Sequence, residues 1–132
     1  MDLGLTGKRA LVLAASSGLG RATALELARE GAVVALCSRE QGRADEAAGA
    51  IAAETGGVLH AFEADVANAA SLEALYEQAT AALGGLDVLV NNAGGPPPGD
   101  FQGADEAAWD RAYQLTLQSV VRSVRLALPH LK

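Results

Sequence analysis

Length, composition and charge restrict what this chain can be. Of its 132 residues, half are hydrophobic but only 4% are aromatic, so Ala, Val and Leu must fill the core. Such a core suits helices packed on a parallel sheet better than an aromatic-rich pair of stacked sheets. The net charge of −6 argues against a nucleic-acid partner, because phosphate binding needs a basic surface.

The sequence also argues against a membrane protein and a secreted protein. No apolar run is long enough to span a bilayer. The first residues have neither the basic start nor the apolar stretch of a signal peptide. The single cysteine, Cys37, cannot form an internal disulfide, which fits a reducing compartment. We therefore expect a cytoplasmic location.

The first half of the chain alternates short apolar runs with helical patterns. Apolar runs predict strands at 8–14, 32–37 and 58–63. Between them, helices are predicted at 21–30 and 41–55, and Ala22, Leu25 and Ala28 have the spacing of one helix face. Gly31 follows the first helix, where a left-handed cap is expected.

The second half continues the alternation. Asn68 or Ser71 can cap a third helix, which carries an apolar stripe that includes Tyr76 and which ends at Gly84–Gly85. A fourth strand is predicted at 86–90, then a loop containing Pro96–Pro97–Pro98–Gly99, then a helical stretch at 104–130 that could be broken early. Strands separated by helices predict a parallel sheet with right-handed crossovers, and ligands bind beyond the carboxyl ends of such strands.

Three motifs fall at those carboxyl ends. The turn from Ala14 to Gly20 joins the first strand to the first helix, where glycines and a helix N-terminus favour a pyrophosphate; an ordinary turn is the alternative. Asn91–Asn92–Ala93–Gly94 follows the fourth strand, and it could be a polar turn or could leave room for a ligand. Asp65–Val66 follows the third strand, and the carboxylate could bind an adenine amino group or stabilise a turn.

Taken together, these motifs resemble the short-chain dehydrogenase/reductase family. The turn is similar to that family's TGxxxGxG motif, and residues 91–94 are its NNAG signature unaltered. Asp65–Val66 and Trp109–Asp110–Arg111 match further landmarks in order and distance. The resemblance covers essentially the whole chain. It implies a three-layer α/β fold of the Rossmann type, with a parallel sheet in the order 3-2-1-4 and without the family's C-terminal strands.

The resemblance implies that residues 1–132 form a dinucleotide-binding domain that is incomplete. NAD-binding members carry an acid at the end of strand two, whereas this chain has Ser38–Arg39, a hydroxyl and a guanidinium suited to a 2′-phosphate. We therefore expect NADP (NADPH) rather than NAD, unless Glu40 pairs with Arg39. The predicted cofactor-binding residues are Ala14, Ser16, Ser17, Gly18, Leu19, Gly20, Ser38, Arg39, Asp65, Val66, Asn92, Ala93 and Gly94.

The chain departs from the family pattern at one position of the glycine turn and at the catalytic positions. Ala14 replaces the first glycine of the turn, and Thr116 stands where the family has a catalytic asparagine, although a one-residue slip would bring Gln114 or Gln118 there. The family's catalytic serine and Tyr-x-x-x-Lys pair would lie beyond Lys132. Neither Tyr76 nor Tyr113 has Lys or Arg four residues later, and His60 and His130 lack the spacing of a metal site.

The functional prediction is an NADP-dependent oxidoreductase that transfers hydride to a carbonyl or from an alcohol, similar to 3-oxoacyl reductases. We expect these residues alone to be inactive. The alternatives are a non-catalytic dinucleotide-binding or interaction module (a truncated pseudoenzyme) and one half of a split enzyme. A homo-oligomer is expected, because an open sheet edge and an apolar helix stripe need cover. The edge comprises Leu86, Val88, Leu89 and Val90, and the stripe comprises Val120, Val121, Val124 and Leu128.

Overall fold

A computed structural model describes residues 1–95 and 98–132, so Pro96 and Pro97 of the predicted loop lie outside the described residues. Strands and helices alternate along the chain as the sequence predicts. Their bounds are β1 Arg9–Val12, α1 Gly18–Arg29, β2 Val33–Ser38, α2 Gln41–Thr55, β3 Leu59–Glu63, α3 Ala69–Leu83, β4 Val88–Val90, α4 Glu106–Tyr113 and α5 Ser119–Leu131. A π-helical segment, Gln114–Gln118, connects α4 to α5.

The four strands form one parallel sheet in the order β3-β2-β1-β4, which confirms the predicted order 3-2-1-4. Val12, the last residue of β1, is in register with Leu36 of β2 and with Val90 of β4. The carboxyl ends of these three strands therefore meet at the same edge of the sheet. The turns that follow β1, β2 and β4 start from that edge.

Successive residues of the central strands face opposite sides of the sheet. Ala10 and Val12 pack in one hydrophobic cluster with α1 and α2, whereas Leu11 and Leu13 pack in a second cluster with α3 and with Ala127 of α5. Two helical layers therefore enclose the sheet, as the predicted three-layer fold requires. Many of the buried helix residues are alanines, which let helices lie close to the strands.

Helix α1 differs from its prediction in its start and in one residue of its face. It begins at Gly18 rather than at residue 21, and its buried residues are Gly20, Ala24 and Ala28, whereas Ala22 is exposed. The buried residues recur every four positions and are all glycine or alanine. Of the predicted face, Ala28 is buried and Leu25 packs against the first core cluster, so Ala22 alone is misplaced. Gly31 does follow the helix in a left-handed conformation, with φ of 89°.

Strand β4 is shorter than predicted and begins at Val88. Leu86 is only 1% exposed and belongs to the second core cluster, so its predicted place along an open sheet edge was wrong. The physical reason is that the chain enters the core before it joins the sheet. Val88, Leu89 and Val90 do form the edge strand, and each is partly buried.

The helices of the second layer have well-defined starts. Asn68 caps α3, because its Oδ1 accepts a hydrogen bond of 2.9 Å from the backbone N of Ser71. The Ser71 hydroxyl instead accepts from the backbone N of Asp65 at 2.8 Å. The last helical stretch starts at Glu106 rather than at 104 and has a widened π turn in place of a break. Among the described residues, no helix combines the length and apolar character needed to cross a membrane.

Candidate functional site

A cavity of about 710 Å³ opens at the carboxyl edge of the sheet. Its volume lies within the range of roughly 300–1,000 Å³ that is usual for small-molecule and cofactor sites. Its lining includes all the predicted cofactor-binding residues except Gly20, namely Ala14, Ser16, Ser17, Gly18, Leu19, Ser38, Arg39, Asp65, Val66, Asn92, Ala93 and Gly94. The fold therefore gathers residues from four separate loops around one space.

Five further residues line this cavity that the sequence interpretation did not select: Glu40, Arg43, Ala64, Gly95 and Leu115. Ala64 directly precedes the Asp65–Val66 motif and Gly95 directly follows residues 91–94, so extending each motif by one residue would have included them. Arg43 lies in the first turn of α2, soon after Ser38 and Arg39, and this closeness in sequence was the available signal. Leu115 comes from the π segment, and nothing local in the sequence indicates its place.

The turn after β1 has two left-handed residues. Gly18 has φ of 60° and Ala14 has φ of 49°. Glycine takes this conformation readily, but an alanine methyl is crowded there, at a cost of roughly 1–2 kcal/mol. The first residue of the turn therefore keeps the backbone shape that a glycine would adopt, and Ala14 is strained to do so.

Gly20 lies beneath the cavity and is needed for a close approach. A Cβ at this position would lie 2.6 Å from the carbonyl oxygen of Ala14 and 2.7 Å from Nδ2 of Asn92. The Asn92 side chain donates a hydrogen bond of 3.0 Å from Nδ2 to that same carbonyl oxygen. Asn92 therefore ties the end of β4 to the turn after β1, a role beyond that of a simple polar turn.

Ser38 and Ser16 connect the end of β2 to the same turn. The Ser38 hydroxyl donates to the Ser16 hydroxyl at 3.2 Å and accepts from the backbone N of Glu40 at 3.4 Å. Ser38 is only 7% exposed, so its hydroxyl is held in place at the cavity wall. The Ser16 hydroxyl can still donate its own proton to a ligand, whereas the Ser38 hydroxyl donates to a ligand only if it turns its proton away from Ser16.

Arg39 and Arg43 differ in their ion pairing. Nε of Arg43 lies 2.9 Å from a carboxylate oxygen of Glu40, and both side chains are largely exposed. Within residues 1–95 and 98–132, Arg39 forms no ion pair, and its side chain is exposed at the cavity. The structure thus does not have the alternative pairing of Glu40 with Arg39.

Asp65 forms a local turn and also faces the cavity. Its Oδ1 accepts a hydrogen bond of 3.0 Å from the backbone N of Ala67. The side chain lines the cavity and is exposed, whereas Val66 beside it is 5% exposed. The turn role is therefore present, and the other carboxylate oxygen can still accept a hydrogen bond from a ligand.

The candidate catalytic side chains lie elsewhere. The Thr116 hydroxyl donates to the carbonyl of Ala112 at 2.6 Å, and the residue is exposed on the π segment. Its neighbour Leu115 lines the cavity instead. Gln118, an alternative for the same role, accepts a hydrogen bond of 3.0 Å from the Tyr113 hydroxyl. No group of three or more His, Cys, Asp or Glu side chains in the described parts of the chain could hold a metal ion.

Tyr76 has the core position that its helix stripe predicts. It is 3% exposed, and its hydroxyl shares a hydrogen bond with the hydroxyl of Ser123 across α3 and α5. Burial raises the pKa of Tyr76 to about 12. A phenol in this environment holds its proton at neutral pH, and its hydroxyl is occupied by a structural contact.

The parallel sheet, its two helical layers and the cavity at its carboxyl edge define an α/β protein of the Rossmann type. The sequence profile of short chain dehydrogenases matches residues 8–132, and the chain belongs to that family. It spans about half the length of the curated relatives it matches. One of these is the ketoacyl reductase HetN of Nostoc, which is 38% identical over 125 residues, covering 95% of this chain and 43% of the relative.

Solved structures show the same fold. The L-sorbose reductase of Gluconobacter frateurii, in complex with NADPH and L-sorbose, superposes with a TM-score of 0.94 at 34% identity, over 99% of this chain and 50% of that one. The NADH-dependent reductase A1-R′, in complex with NAD, superposes with a TM-score of 0.89 at 38% identity, over 99% of this chain and 55% of that one. Similar proteins thus include both an NADPH complex and an NAD complex.

Proposed function

We propose that the cavity binds the adenosine and pyrophosphate portion of NADP, in an oxidoreductase that acts on a carbonyl or an alcohol. The observation that carries this proposal is Arg39, an exposed guanidinium at the cavity wall with no carboxylate partner among the described residues. Beside it is the hydroxyl of Ser38, whose proton points to Ser16 and can rotate towards a phosphate. A guanidinium and a hydroxyl can together bind a 2′-phosphate through charge-assisted hydrogen bonds.

The cavity fits such a ligand. Gly18 has open space around the position of a Cβ, so the backbone of the turn is accessible to a pyrophosphate at the start of α1. Asp65 and Val66 would bind the adenine, and Ala93 and Gly94 leave room beyond the pyrophosphate. When bound, the nicotinamide supplies the hydride acceptor or donor for the reaction. Asn92 would position the ligand indirectly, because its side chain holds the turn after β1 in place.

A titration of the chain with NADP and NAD tests this assignment. The unmodified chain should bind NADP more tightly, and Arg39→Glu should narrow or reverse the preference by about 1–3 kcal/mol, the value of a charge-assisted pair. Lys8→Glu is the matched control, because it makes the same charge change on an exposed residue just before β1, away from the cavity. Equal affinity for both dinucleotides in the unmodified chain would contradict the proposal.

We also propose that the 132 residues alone bind the dinucleotide without turning over a substrate. Tyr76 is buried and bonded to Ser123, and the Tyr113 hydroxyl is bonded to Gln118, so neither phenol is positioned as a general acid at the cavity. An assay with NADPH and common ketones should show no turnover above background, with chain identity verified by mass. Measurable turnover would overturn this part of the proposal.

Three finer statements stay proposals. A 3-oxoacyl compound is the substrate class we favour, since the relatives of this chain include a ketoacyl reductase. A cytoplasmic location is in keeping with the single buried thiol of Cys37. Self-association through the exposed apolar stripe of α5 is the third.

A further inference from the structure

The wall of the cavity beside Arg39 carries an acidic side chain, Glu40, and a second basic side chain, Arg43. Glu40 and Arg43 both line the cavity, at the start of α2. A carboxylate at the end of a second strand opposes the binding of a 2′-phosphate, because like charges repel. Glu40 directly follows Arg39, so its charge offsets the attraction that the Arg39 guanidinium exerts on a phosphate.

We propose that Arg43 is a specificity-determining residue, which admits the 2′-phosphate by neutralising the carboxylate of Glu40. This inference rests on the proposed function of the cavity. The 2.9 Å ion pair between Arg43 and Glu40 balances the two charges, and it leaves the positive charge of Arg39 uncompensated. Replacing Arg43 by a neutral residue would leave Arg39 and Glu40 as opposite charges side by side at the phosphate position.

The exposure of the pair supports this role. The Arg43 and Glu40 side chains are 71% and 66% exposed, and a salt bridge in that environment adds little to the stability of a fold. Its effect on a nearby phosphate is larger, since a phosphate monoester carries a charge of roughly −1.5 to −2 at neutral pH. The pair therefore matters more for the choice between ligands than for the stability of α2.

Two nucleotide fragments isolate the 2′-phosphate. Adenosine 2′,5′-bisphosphate and 5′-AMP differ in that group alone, and both can be titrated into the full chain and into the variants Arg43→Gln, Glu40→Gln and the double variant. Arg43→Gln should lower the affinity for the bisphosphate by about three- to tenfold and change the affinity for 5′-AMP by less than about twofold. In the background of Glu40→Gln, the same Arg43→Gln change should have little effect on either fragment.

A matched control exists on α1. Arg29 pairs with Glu26 at the same three-residue spacing and also with Glu54 of α2, and none of these residues lines the cavity. Arg29→Gln and Glu26→Gln should leave the ratio of the two fragment affinities unchanged. Thermal unfolding of every variant checks that the chain remains folded.

The remaining outcomes separate this inference from the proposed function. If Arg43→Gln weakens both fragments equally or neither, or weakens the bisphosphate by the same factor with and without Glu40, then Arg43 does not act through Glu40 and the inference is wrong. The proposed function survives those results, provided that the chain binds NADP. If the unmodified chain binds neither fragment and neither dinucleotide, the proposed function fails, and the inference fails with it.

Discussion

Ala14 is the residue at which the backbone and the side chain conflict most clearly. Its φ of 49° lies in the left-handed region, where an alanine is strained and a glycine is not. We expect Ala14→Gly to raise the free energy of unfolding by about 0.5–1 kcal/mol, because relief of the strain exceeds the extra entropy of glycine in the unfolded chain. Urea unfolding at neutral pH measures this difference.

Ala15→Gly is the control for that substitution. Ala15 is fully buried next to Ala14 and lies outside the left-handed region, so removing its methyl group should destabilise the chain. If both substitutions lowered the free energy of unfolding, the Ala14 methyl would contribute more by packing than it costs in strain.

The sequence identifies most of the residues around the cavity, but it explains only part of why some of them are needed there. The motif from Ala14 to Gly20 indicates a pyrophosphate site, and that interpretation explains Gly20 by the approach of a ligand. The structure adds a second reason, since Gly20 must make room for Asn92 and for the carbonyl of Ala14. Asn92 is 78 positions from Ala14, and no local pattern reveals a contact over that distance.

At the scale of elements, Arg9 and Asp87 join the amino ends of β1 and β4. The Arg9 guanidinium donates two hydrogen bonds to the Asp87 carboxylate, at 2.9 and 3.1 Å, and a third to the carbonyl oxygen of Gly84. The two bonds to the carboxylate, followed by a bond of 2.9 Å from the backbone N of Arg9, lower the pKa of Asp87 to about 2. The strand β4 is only three residues long, and this clamp joins its amino end to β1 in addition to the backbone pairing.

The clamp predicts how stability depends on pH. The pKa of Asp87 is lower in the folded chain than in the unfolded chain, so its contribution is present above about pH 4, the usual pKa of an aspartate, and is lost as the pH falls towards 2. Asp87→Asn should lower the free energy of unfolding at pH 7 and reduce its decline between pH 4 and pH 2. Urea unfolding at several pH values measures both effects.

Asp110→Asn on α4 serves as the control, because that exposed carboxylate is not part of the clamp. Its stability profile should follow that of the unmodified chain. An Asp87→Asn profile as steep as the unmodified one would show that other carboxylates dominate the acid response and that the clamp is weak.

Element types were more predictable than their boundaries. The bounds of α2 are those predicted, because its Ala- and Glu-rich stretch ends at two glycines. The start of α1 was placed three residues late, since glycines in its first turn mask the helical pattern. The π segment at Gln114–Gln118 was not predicted, because one extra residue in a helical turn leaves the composition and the nearby apolar spacing almost unchanged.

At the scale of the whole molecule, the sheet order came from the family resemblance, because spacing alone predicts parallel strands without their order. The observed order places β4 at one edge of the sheet. Strand β4 pairs with β1 on one side only, within the described residues, and its three residues are partly buried. An edge strand with unpaired backbone groups favours association, although three residues form a short edge.

The larger apolar surface belongs to α5. Val120, Val121, Val124 and Leu128 are between 37% and 45% exposed, whereas Ser123 and Ala127 on the opposite face are buried. Their spacing places them on one stripe of the helix. A contiguous exposed apolar stripe is a candidate association site, and a second copy of the chain offers a surface of the same apolar character.

We expect the chain to be a dimer or larger at micromolar concentration, as measured by light scattering. Val124→Glu places a charge in the middle of the stripe, so it should shift the chain towards the monomer, because burying an unpaired carboxylate opposes association. Val58→Glu is the matched control: Val58 is 57% exposed and lies just before β3, away from α5. If the unmodified chain stays monomeric and gives sharp, well-dispersed amide NMR signals, the stripe and the edge are stable when exposed to water. If both variants change the measured mass equally, the contact between copies lies elsewhere.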